Sequence, residues 1–591
     1  MLRIGFIWTM LGTFALAVGQ GEIVGEILVK GNELVSETSI LAVMETKVGQ
    51  IYQASQLRQD QQTLEALNYF SDVKVWGQRE NAGQWRVVVE VVEWPVVRTI
   101  IVKGATVVPV ATILERISLQ AGEQFRPSYL EPDARAISDL YRERGYFARV
   151  ARFEPTEDDA GAILIEIVEV RVNRIIITGP TRTKPSVMRK LMDVREGDLF
   201  HLPTWNEDLR RVYETRWFET LRPDSSEPEL GKVDLFLDLR EARTGLFNVG
   251  LSLDPRNNLA GILSMSERNL YGTGKSVGIY LLQSTQGLGT SFSIDYGDPF
   301  IDDHRTTLNV SLFSRETLVF GQAFLGSGQF ELGDRFSQRR TGGSFSLSRP
   351  ISKRTRLFAT LRGELIDTQN FEPEPSERVV LQDGTIAGFE LGVVRNRRDN
   401  SADPARGDWI RLAVEPSFSH ITSVGGETSG FGILGQNFYT RATVDYRIYW
   451  SPQPPRAAGA FDEPRRVIAA RAYAGNIQGK VPFFEQFFIG GANGVRGYAE
   501  DRYWGRTALL FQLEYRHPIQ KAFNAVVFAD YGGAWDGYGT VREFSQKGVM
   551  SLHFGYGVGI NFRTPFGPIR LDVGFGEDGK ARTHFLIGGS F

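Results

Sequence analysis

The stretch Arg441-Ala442-Thr443-Val444-Asp445-Tyr446-Arg447-Ile448-Tyr449-Trp450 decides the fold. Successive side chains of a strand point to opposite faces, so Ala442, Val444, Tyr446, Ile448 and Trp450 fall on one side and Arg441, Thr443, Asp445 and Arg447 on the other. One face suits hydrocarbon and the other suits water. The same alternation runs through Leu357–Leu365, Ile410–Val414, Leu509–Tyr515, Leu552–Phe562 and Ile569–Phe575. A soluble sandwich alternates too, but strands this long do not ordinarily carry so many Arg, Asp and Glu on their second face. The pattern points to a barrel that crosses a bilayer with strands.

Counted back from Phe591, sixteen such segments fit between 582–591 and 246–253. The number is even, as in bacterial barrels, whose closed ladders leave no backbone group unpaired in lipid. Loop lengths give an independent test, because these barrels have short turns at one rim and long loops at the other. If the first strand runs outward, the inner turns include Asn269–Gly274, Pro350–Lys353 and Thr564–Gly567, all short and carrying Gly or Pro. The outer loops include 315–340, 367–384, 419–436 and 478–504, all long. The inner connection 451–465 is longer than this rule allows. The expected barrel domain is 245–591.

Upstream of residue 245 the texture changes to a threefold repeat. A short β-rich run ends in Lys30-Gly31, Lys103-Gly104 and Thr178-Gly179, and a helical stretch then closes at Val48-Gly49, Ala121-Gly122 and Glu196-Gly197. A second helix ends in Tyr69-Phe70, Tyr146-Phe147 and Trp217-Phe218. An apolar strand bearing acids follows at Glu90–Glu93, Glu166–Glu169 and Asp238–Glu241. Equivalent landmarks lie 71 to 77 residues apart. Each unit reads as strand, helix, helix, strand, strand, over 22–94, 96–170 and 172–242.

These units resemble POTRA domains, the periplasmic modules of the BamA/TamA family of outer-membrane assembly proteins. Three modules and a chain of this length resemble a TamA-like or short BamA-like member. The expected fold is therefore three α+β periplasmic repeats of β-α-α-β-β type followed by a 16-stranded antiparallel transmembrane β-barrel. Small sheets of this kind leave an edge strand whose unpaired N–H and C=O groups can accept an extended peptide. The resemblance implies that these edges hold unfolded outer-membrane clients and periplasmic or inner-membrane accessory proteins.

Ahead of the repeats, Arg3 precedes the apolar run Ile4–Val18, with Ala17 and Gly19 as small residues suited to cleavage. About 15 apolar residues fall short of the roughly 20 a spanning helix needs, so residues 1–19 read as a secretory signal peptide. Cysteine is absent, which excludes disulfides, thiolate metal sites and a lipidated N-terminal cysteine. A net charge of -3 with interspersed signs carries no nucleic-acid footprint. His201, His304, His420, His517, His553 and His584 show neither metal-ligand spacing nor a nucleophile to serve. Gly274-Lys275-Ser276 imitates the end of a phosphate-binding loop, but Asn269 stands where that motif needs glycine and a strand follows where it needs a helix. The reading is of a non-enzyme without metal or cofactor.

In the sixth outer loop stands Gly494-Val495-Arg496-Gly497-Tyr498, which resembles the Val-Arg-Gly-Phe/Tyr motif of the same family. There the loop folds back into the lumen and its arginine meets acids on the wall. The resemblance assigns Val495, Arg496, Gly497 and Tyr498 to a loop latch, with Glu514 and Asp530 as its partners. Alternation alone turns Glu514 to the lumen if Leu513 and Tyr515 face lipid. A guanidinium grips carboxylates bidentately, and an acid left unpaired in a partly dry interior is costly. Further family-like patches are Asn269–Gly274, Tyr296–Phe300, Arg398-Asp399-Asn400 leading to Pro404 and Gly407, and Thr564–Arg570.

Closing the barrel brings the first strand, with Leu246 and Leu253, against the last, which carries Gly588, Gly589 and Phe591. Glycine lowers strand propensity and packing, so a weak seam is expected there. By resemblance, the seam opens sideways and templates client strands in a locally thinned bilayer, without ATP. Outer-membrane lipid is then the other partner. The final Phe591 is a familiar ending for outer-membrane barrels, although Gly589 replaces the bulky residue often found two places before it. The alternative is a two-partner-type polypeptide secretion pore, whose members usually carry two such modules and a plug helix. An enzyme or passive porin would leave the repeats and the motif idle.

Overall fold

The computed structural model describes residues 22–587 except 82, 157, 160, 255–257, 285–289, 320–335, 371–380, 426–431, 457–462, 521, 538–548 and 565–566. The expected signal peptide and the seam residues Gly588, Gly589 and Phe591 lie outside the described residues. The first repeat comprises β1 (Ile23–Lys30), α1 (Glu37–Val43), α2 (Ala54–Ala66), β2 (Phe70–Asn81) and β3 (Gln84–Glu93). The second comprises β4 (Thr99–Lys103), α3 (Val110–Arg116), α4 (Leu130–Glu143), β5 (Ala148–Pro155) and β6 (Ala162–Glu169). The third comprises β7 (Arg171–Thr178), α5 (Pro185–Leu191), α6 (Leu202–Glu214), β8 (Phe218–Glu229) and β9 (Lys232–Glu241). In every sheet the last strand is central, in the orders β1-β3-β2, β4-β6-β5 and β7-β9-β8. Alternate residues of that strand, such as Val87, Val89 and Val91, are buried with Leu57 and Leu64 of the amphipathic helix.

Each sequence landmark has a physical cause. Gly31, Gly104 and Gly179 adopt φ of +84°, +84° and +99°, and a Cβ there would stand 2.1, 1.9 and 1.7 Å from the carbonyl oxygens of Val91, Ile167 and Leu239. Only glycine lets the chain turn this close to the central strand. The acids ending those strands close the loop that follows. Glu93 accepts from Leu34 N (2.7 Å) and Val35 N (2.8 Å), Glu169 from Thr106 N (2.7 Å) and Val107 N (3.1 Å), and Glu241 from Arg182 N (3.1 Å) and Thr183 N (2.7 Å). The aromatic pairs are joints between units. Arg126 of the second repeat lies 4.6 Å from the Tyr69 ring centre, and Tyr146 packs at 4.5 Å on His201 of the third. Trp217 Nε1 donates to the Arg268 carbonyl of the barrel at 2.9 Å.

The helical landmarks differ in detail. α1 ends at Val43 and α3 at Arg116, ahead of Gly49 and Gly122, which occupy left-handed turns at φ +90° and +94°. A buried aspartate on the second helix of each repeat organises the intervening turn: Asp60, Asp133 and Asp208 are at most 1% exposed. They accept from the backbone of Glu45 (2.6 Å) and Thr46 (3.2 Å), of Ser118 (2.7 Å) and Leu119 (3.0 Å), and of Asp193 (2.8 Å) and Val194 (2.9 Å). The turn therefore needs no helix to hold it.

The chain forms two compact units, one reaching residue 174 and including 196–202 and 226–234, the other made of 175–195, 203–225 and 235–591. The second contains a sheet of 16 strands. These are β10 (Gly245–Asp254), β11 (Asn258–Leu270), β12 (Lys275–Ser284), β13 (Thr290–Asp298), β14 (Thr307–Val319), β15 (Phe336–Ser352), β16 (Thr355–Asn370), β17 (Leu381–Asn396), β18 (Gly407–Gly425), β19 (Gly435–Trp450) and β20 (Val467–Gly479). Two short strands off this sheet, β21 (Phe487–Ile489) and β22 (Tyr503–Gly505), precede β23 (Thr507–Gln520), β24 (Phe523–Trp535), β25 (His553–Thr564), β26 (Gly567–Phe575) and β27 (Ala581–Ile587). Neighbours pair in sequence order, with β20 beside β23. β10 and β27 approach each other, and among the described residues no register joins them.

The burial pattern is inverted relative to a soluble core. Leu513, Tyr515, Val527 and Tyr556 are 42–55% exposed, while Glu514 and Asp530 between them in the alternation are 0% exposed. Apolar faces outward and charges inward is the distribution lipid demands. No helix among the described residues is long and apolar enough to cross a membrane.

Several strands outrun the apolar pattern. β14, β16 and β18 extend to Val319, Asn370 and Gly425, beyond the ends at 314, 366 and 418 that alternation gave. Their ladders continue through polar pairs such as Arg339↔Asp367 and Gln338↔Thr368, which carry no hydropathy signal. The outer loops are correspondingly shorter than expected. At the inner rim, Ser352 pairs with Thr355, so the turn expected at Pro350–Lys353 tightens to Lys353-Arg354. The long inner connection 451–465 grips its neighbour. Arg456 reaches Asp399 at 2.9 Å and Asp403 at 3.0 Å, and Arg406 donates to the Ser451 carbonyl at 3.0 Å.

The candidate site inside the barrel

Residues 480–506, between β20 and β23, fold back against the inner wall. β21 and β22 pair as Phe487↔Gly505, Phe488↔Trp504 and Ile489↔Tyr503. Val495, Tyr498 and Trp504 are buried in one cluster with Tyr439, Ile477 and Leu510 of the wall. At the tip, Gly497 has φ +96°, and a Cβ there would meet the Phe575 carbonyl carbon at 2.5 Å. On the facing wall, a Cβ at Gly555 would lie 1.9 Å from the Arg496 carbonyl oxygen. Glycine on both surfaces allows backbone to lie on backbone.

That approach delivers Arg496 to a set of carboxylates. Its Nε and Nη2 grip Asp530 at 2.6 Å each, and its backbone N–H donates to the same carboxylate at 3.0 Å. Nη1 reaches Glu514 at 2.8 Å and Asp572 at 3.3 Å, and the guanidinium lies 3.6 Å from the Phe528 ring centre. The side chain is 1% exposed. Glu514 also meets Arg516 at 2.8 Å and Arg570 at 2.7 Å, and Asp572 meets Arg570 at 2.6 Å. Glu514, Asp530 and Asp572 stand on β23, β24 and β26, so one loop residue touches three strands. Bidentate, charge-assisted contacts of this kind are the strong ones.

The neighbours of Arg496 tie the tip to the end of the chain. Gly497 N donates to His584 Nε2 at 2.9 Å, and Arg582 Nη1 donates to the Gly497 carbonyl at 2.6 Å, both from β27. Tyr498 OH donates to the Phe554 carbonyl and accepts from Glu577 N, each at 2.9 Å. Val495 is fully buried. Thus Val495, Arg496, Gly497 and Tyr498 come together with Glu514 and Asp530. Leu246 and Leu253 stand on β10, paired with Ser266 and Leu259. Asp572, Arg570, Arg516 and His584 carry no motif that marks them for this site, although alternation along Ile569–Val573 turns Arg570 and Asp572 to the lumen.

Within the same unit, the helices of the third repeat meet the inner turns. Arg305 donates to the carbonyls of Lys190 (2.6 Å) and Met192 (3.2 Å) and pairs with Asp193, which also meets Arg211 at 2.7 Å. Burial alone would raise the Asp193 carboxyl, but the two guanidiniums outweigh it and bring the group down to about 2. Lys353 Nζ reaches Thr204 at 2.9 Å, Ser401 Oγ donates to Glu214 at 2.7 Å, and Asn269 Nδ2 donates to Thr183 at 2.8 Å. Two of the family-like patches, Asn269–Gly274 and the one from Arg398 to Gly407, therefore meet the third repeat.

Residues 269–591 match the Omp85 superfamily domain, and 22–93, 95–169 and 170–242 each match the POTRA family, described as a surface antigen variable number repeat. The chain belongs to the Omp85 superfamily. Within that family it is 25% identical over 517 residues to outer envelope protein 80, chloroplastic, of Arabidopsis thaliana, covering 83% of this chain and 66% of that protein. It is 24% identical over 507 residues to the outer membrane protein assembly factor BamA of Nitratidesulfovibrio vulgaris, covering 79% and 58%. The chain thus spans less than two thirds of the length of either relative. Among solved structures, CdiB from Escherichia coli aligns over 90% of this chain and 97% of its own with a TM-score of 0.53 at 16% identity, a likeness of fold.

Proposed function

We propose that this Omp85 protein sits in the outer membrane with its POTRA repeats in the periplasm and assembles other β-barrel proteins there. Membership of a family whose relatives include an outer membrane protein assembly factor supports the reading. The observation that carries it is the position of the loop tip. Arg496 binds acids on β23, β24 and β26, while its neighbour Gly497 is bonded to β27, the strand that ends the sheet beside β10. A latch there sets how firmly the seam strand is held. Val495, Arg496, Gly497 and Tyr498 form this latch, and Glu514 and Asp530 are its wall partners.

Assembly on this view is strand pairing and makes no covalent bond, so neither ATP nor a cofactor is required. Clients are unfolded outer-membrane proteins. The outer strands of each repeat sheet, β1 and β2, β4 and β5, β7 and β8, offer edges for extended client segments or accessory proteins. The seam between β10 and β27 then templates incoming strands against thinned outer-membrane lipid. Depleting the protein from its own cells and measuring the folded barrel proteins of the outer membrane tests the reading. A drop in many barrels is the outcome expected of a central role, and a drop in one or a few marks a specialised one. Intact barrels with one secreted chain retained inside would instead establish a polypeptide-export pore.

A further inference from the structure

The inward-folded loop buries Glu485, Glu500 and Asp501 besides Arg496, and Glu485 lies near its start, ahead of the tip. The short 3-10 turn Phe483–Glu485 places Glu485 at 3% exposure. Arg362 Nη2 donates to its carboxylate at 2.6 Å, Arg441 Nη2 at 2.7 Å, Arg340 Nη1 at 3.0 Å and Tyr439 OH at 3.1 Å. These arginines stand on β15, β16 and β19, a different sector of the wall from that holding Arg496. Beside Glu485, Phe484 packs with Ile366, Ile386 and Ile421. The turn is seated by packing as well as by charge.

The two clusters are complementary in their charge count. Around Glu485, the wall acids joined by direct ion pairs are Glu364, 3.3 Å from Arg340 and 3.1 Å from Arg362, and Glu415, paired with Arg362 and 3.5 Å from Arg441. Among the described residues, these direct ion pairs set Arg340, Arg362 and Arg441 against Glu364 and Glu415. Around Arg496 the imbalance is reversed: among the described residues, the wall ion pairs named above join Glu514 and Asp572 to Arg516 and Arg570, and Asp530 pairs with Arg496. Counted over these direct ion pairs among the described residues, each sector is short of one charge, of opposite sign, and Glu485 and Arg496 supply them. An unpaired ion in such surroundings costs far more than an exposed one.

We propose that Glu485 is a second positioning residue and that the loop segment 485–496 is a strut, its two ends seated by opposite charges in two wall sockets. This rests on the reading of Arg496 as a latch and adds that the latch does not hold the loop alone. The strut can be seated in one orientation only, because exchanging its ends would set like charges together. Release at either end leaves a net charge in the wall.

The cysteine-free chain allows a direct test. Ile489, 6% exposed and between the two anchors, is replaced by cysteine in the full chain, and the rate of modification by a charged maleimide reads how firmly the loop is seated. Adding Glu485→Gln is expected to raise that rate about tenfold or more, since a buried charge set loses its balance. Glu485→Asp keeps the charge and stays slow. Glu485→Gln with Arg441→Gln restores equal charge and is expected to slow modification again. A rate unmoved by Glu485→Gln overturns the second anchor. If Glu485→Gln does not fold, judged by heat-dependent gel migration, the balanced double variant decides: folded and slow supports the strut, unfolded or fast overturns it. Assembly activity is read separately. Fast modification with normal assembly keeps the strut and removes the latch from the assembly role, whereas an unmoved rate beside lost assembly in Arg496→Ala removes the strut alone.

Discussion

Arg496 lies among three carboxylates with almost no access to water. Replacing it by alanine leaves Asp530 without its bidentate partner and is expected to cost about 3–5 kcal/mol, the usual result of breaking a buried ion pair from one side. We expect Arg496→Ala to lose barrel-assembly activity in a complementation assay, and unchanged activity would sink the latch. In the repeats, Asp133 accepts two backbone N–H groups. Asp133→Ala strands both donors and is expected to destabilise the second repeat by about 2–4 kcal/mol, read as faster hydrogen exchange at the Ser118 and Leu119 amides. Arg496, Glu514 and Asp530 were legible because a motif and an alternation pattern marked them. Asp133 and Glu485 were not. A carboxylate serving backbone donors looks like any helix acid, and a loop without periodicity gives no hint of which face its acid will present.

Strands and helices were legible to different degrees, for one reason. Period-2 alternation reports a change of environment across the sheet, so it located every barrel strand but lost the ends of several where both faces become polar, as at Arg339↔Asp367. The helices were placed correctly in order, yet glycines at +90° marked turns organised by Asp60, Asp133 and Asp208 and not the helix ends themselves. The Asp193 contact between α5 and the barrel turn carries a pH signature. Its folded pKa, about 2, lies below the ordinary aspartate value near 3.9, so its stabilisation is complete above about pH 4 and is lost as pH falls through about 2. After screening of a partly exposed pair we expect about 1 kcal/mol. Thermal melts of the protein and of Asp193→Asn should differ at pH 5 and converge by about pH 2. A gap that persists there would remove the ion pair as its source.

For the whole molecule, the proposed assembly mechanism turns on lateral opening at the seam. Because the chain has no cysteine, a pair introduced across β10 and β27 forms a single defined bridge. We expect assembly to stop when it is oxidised and to resume on reduction, while a pair placed across β16 and β17 leaves assembly intact. Full activity with the oxidised seam would dismiss lateral opening. The architecture also has a grammar. Tyr69 and Tyr146 occupy the same place in successive copies, and each contacts the copy that follows, whereas Trp217 in that place addresses the barrel. Their partners, Arg126 and His201, follow Gly122 and Gly197 at the same spacing, so the joint repeats in place though not in chemistry. The third copy is the adaptor. Exchanged for either of the others, it would lose the indole N–H that reaches the Arg268 carbonyl, because a tyrosine stands in that place.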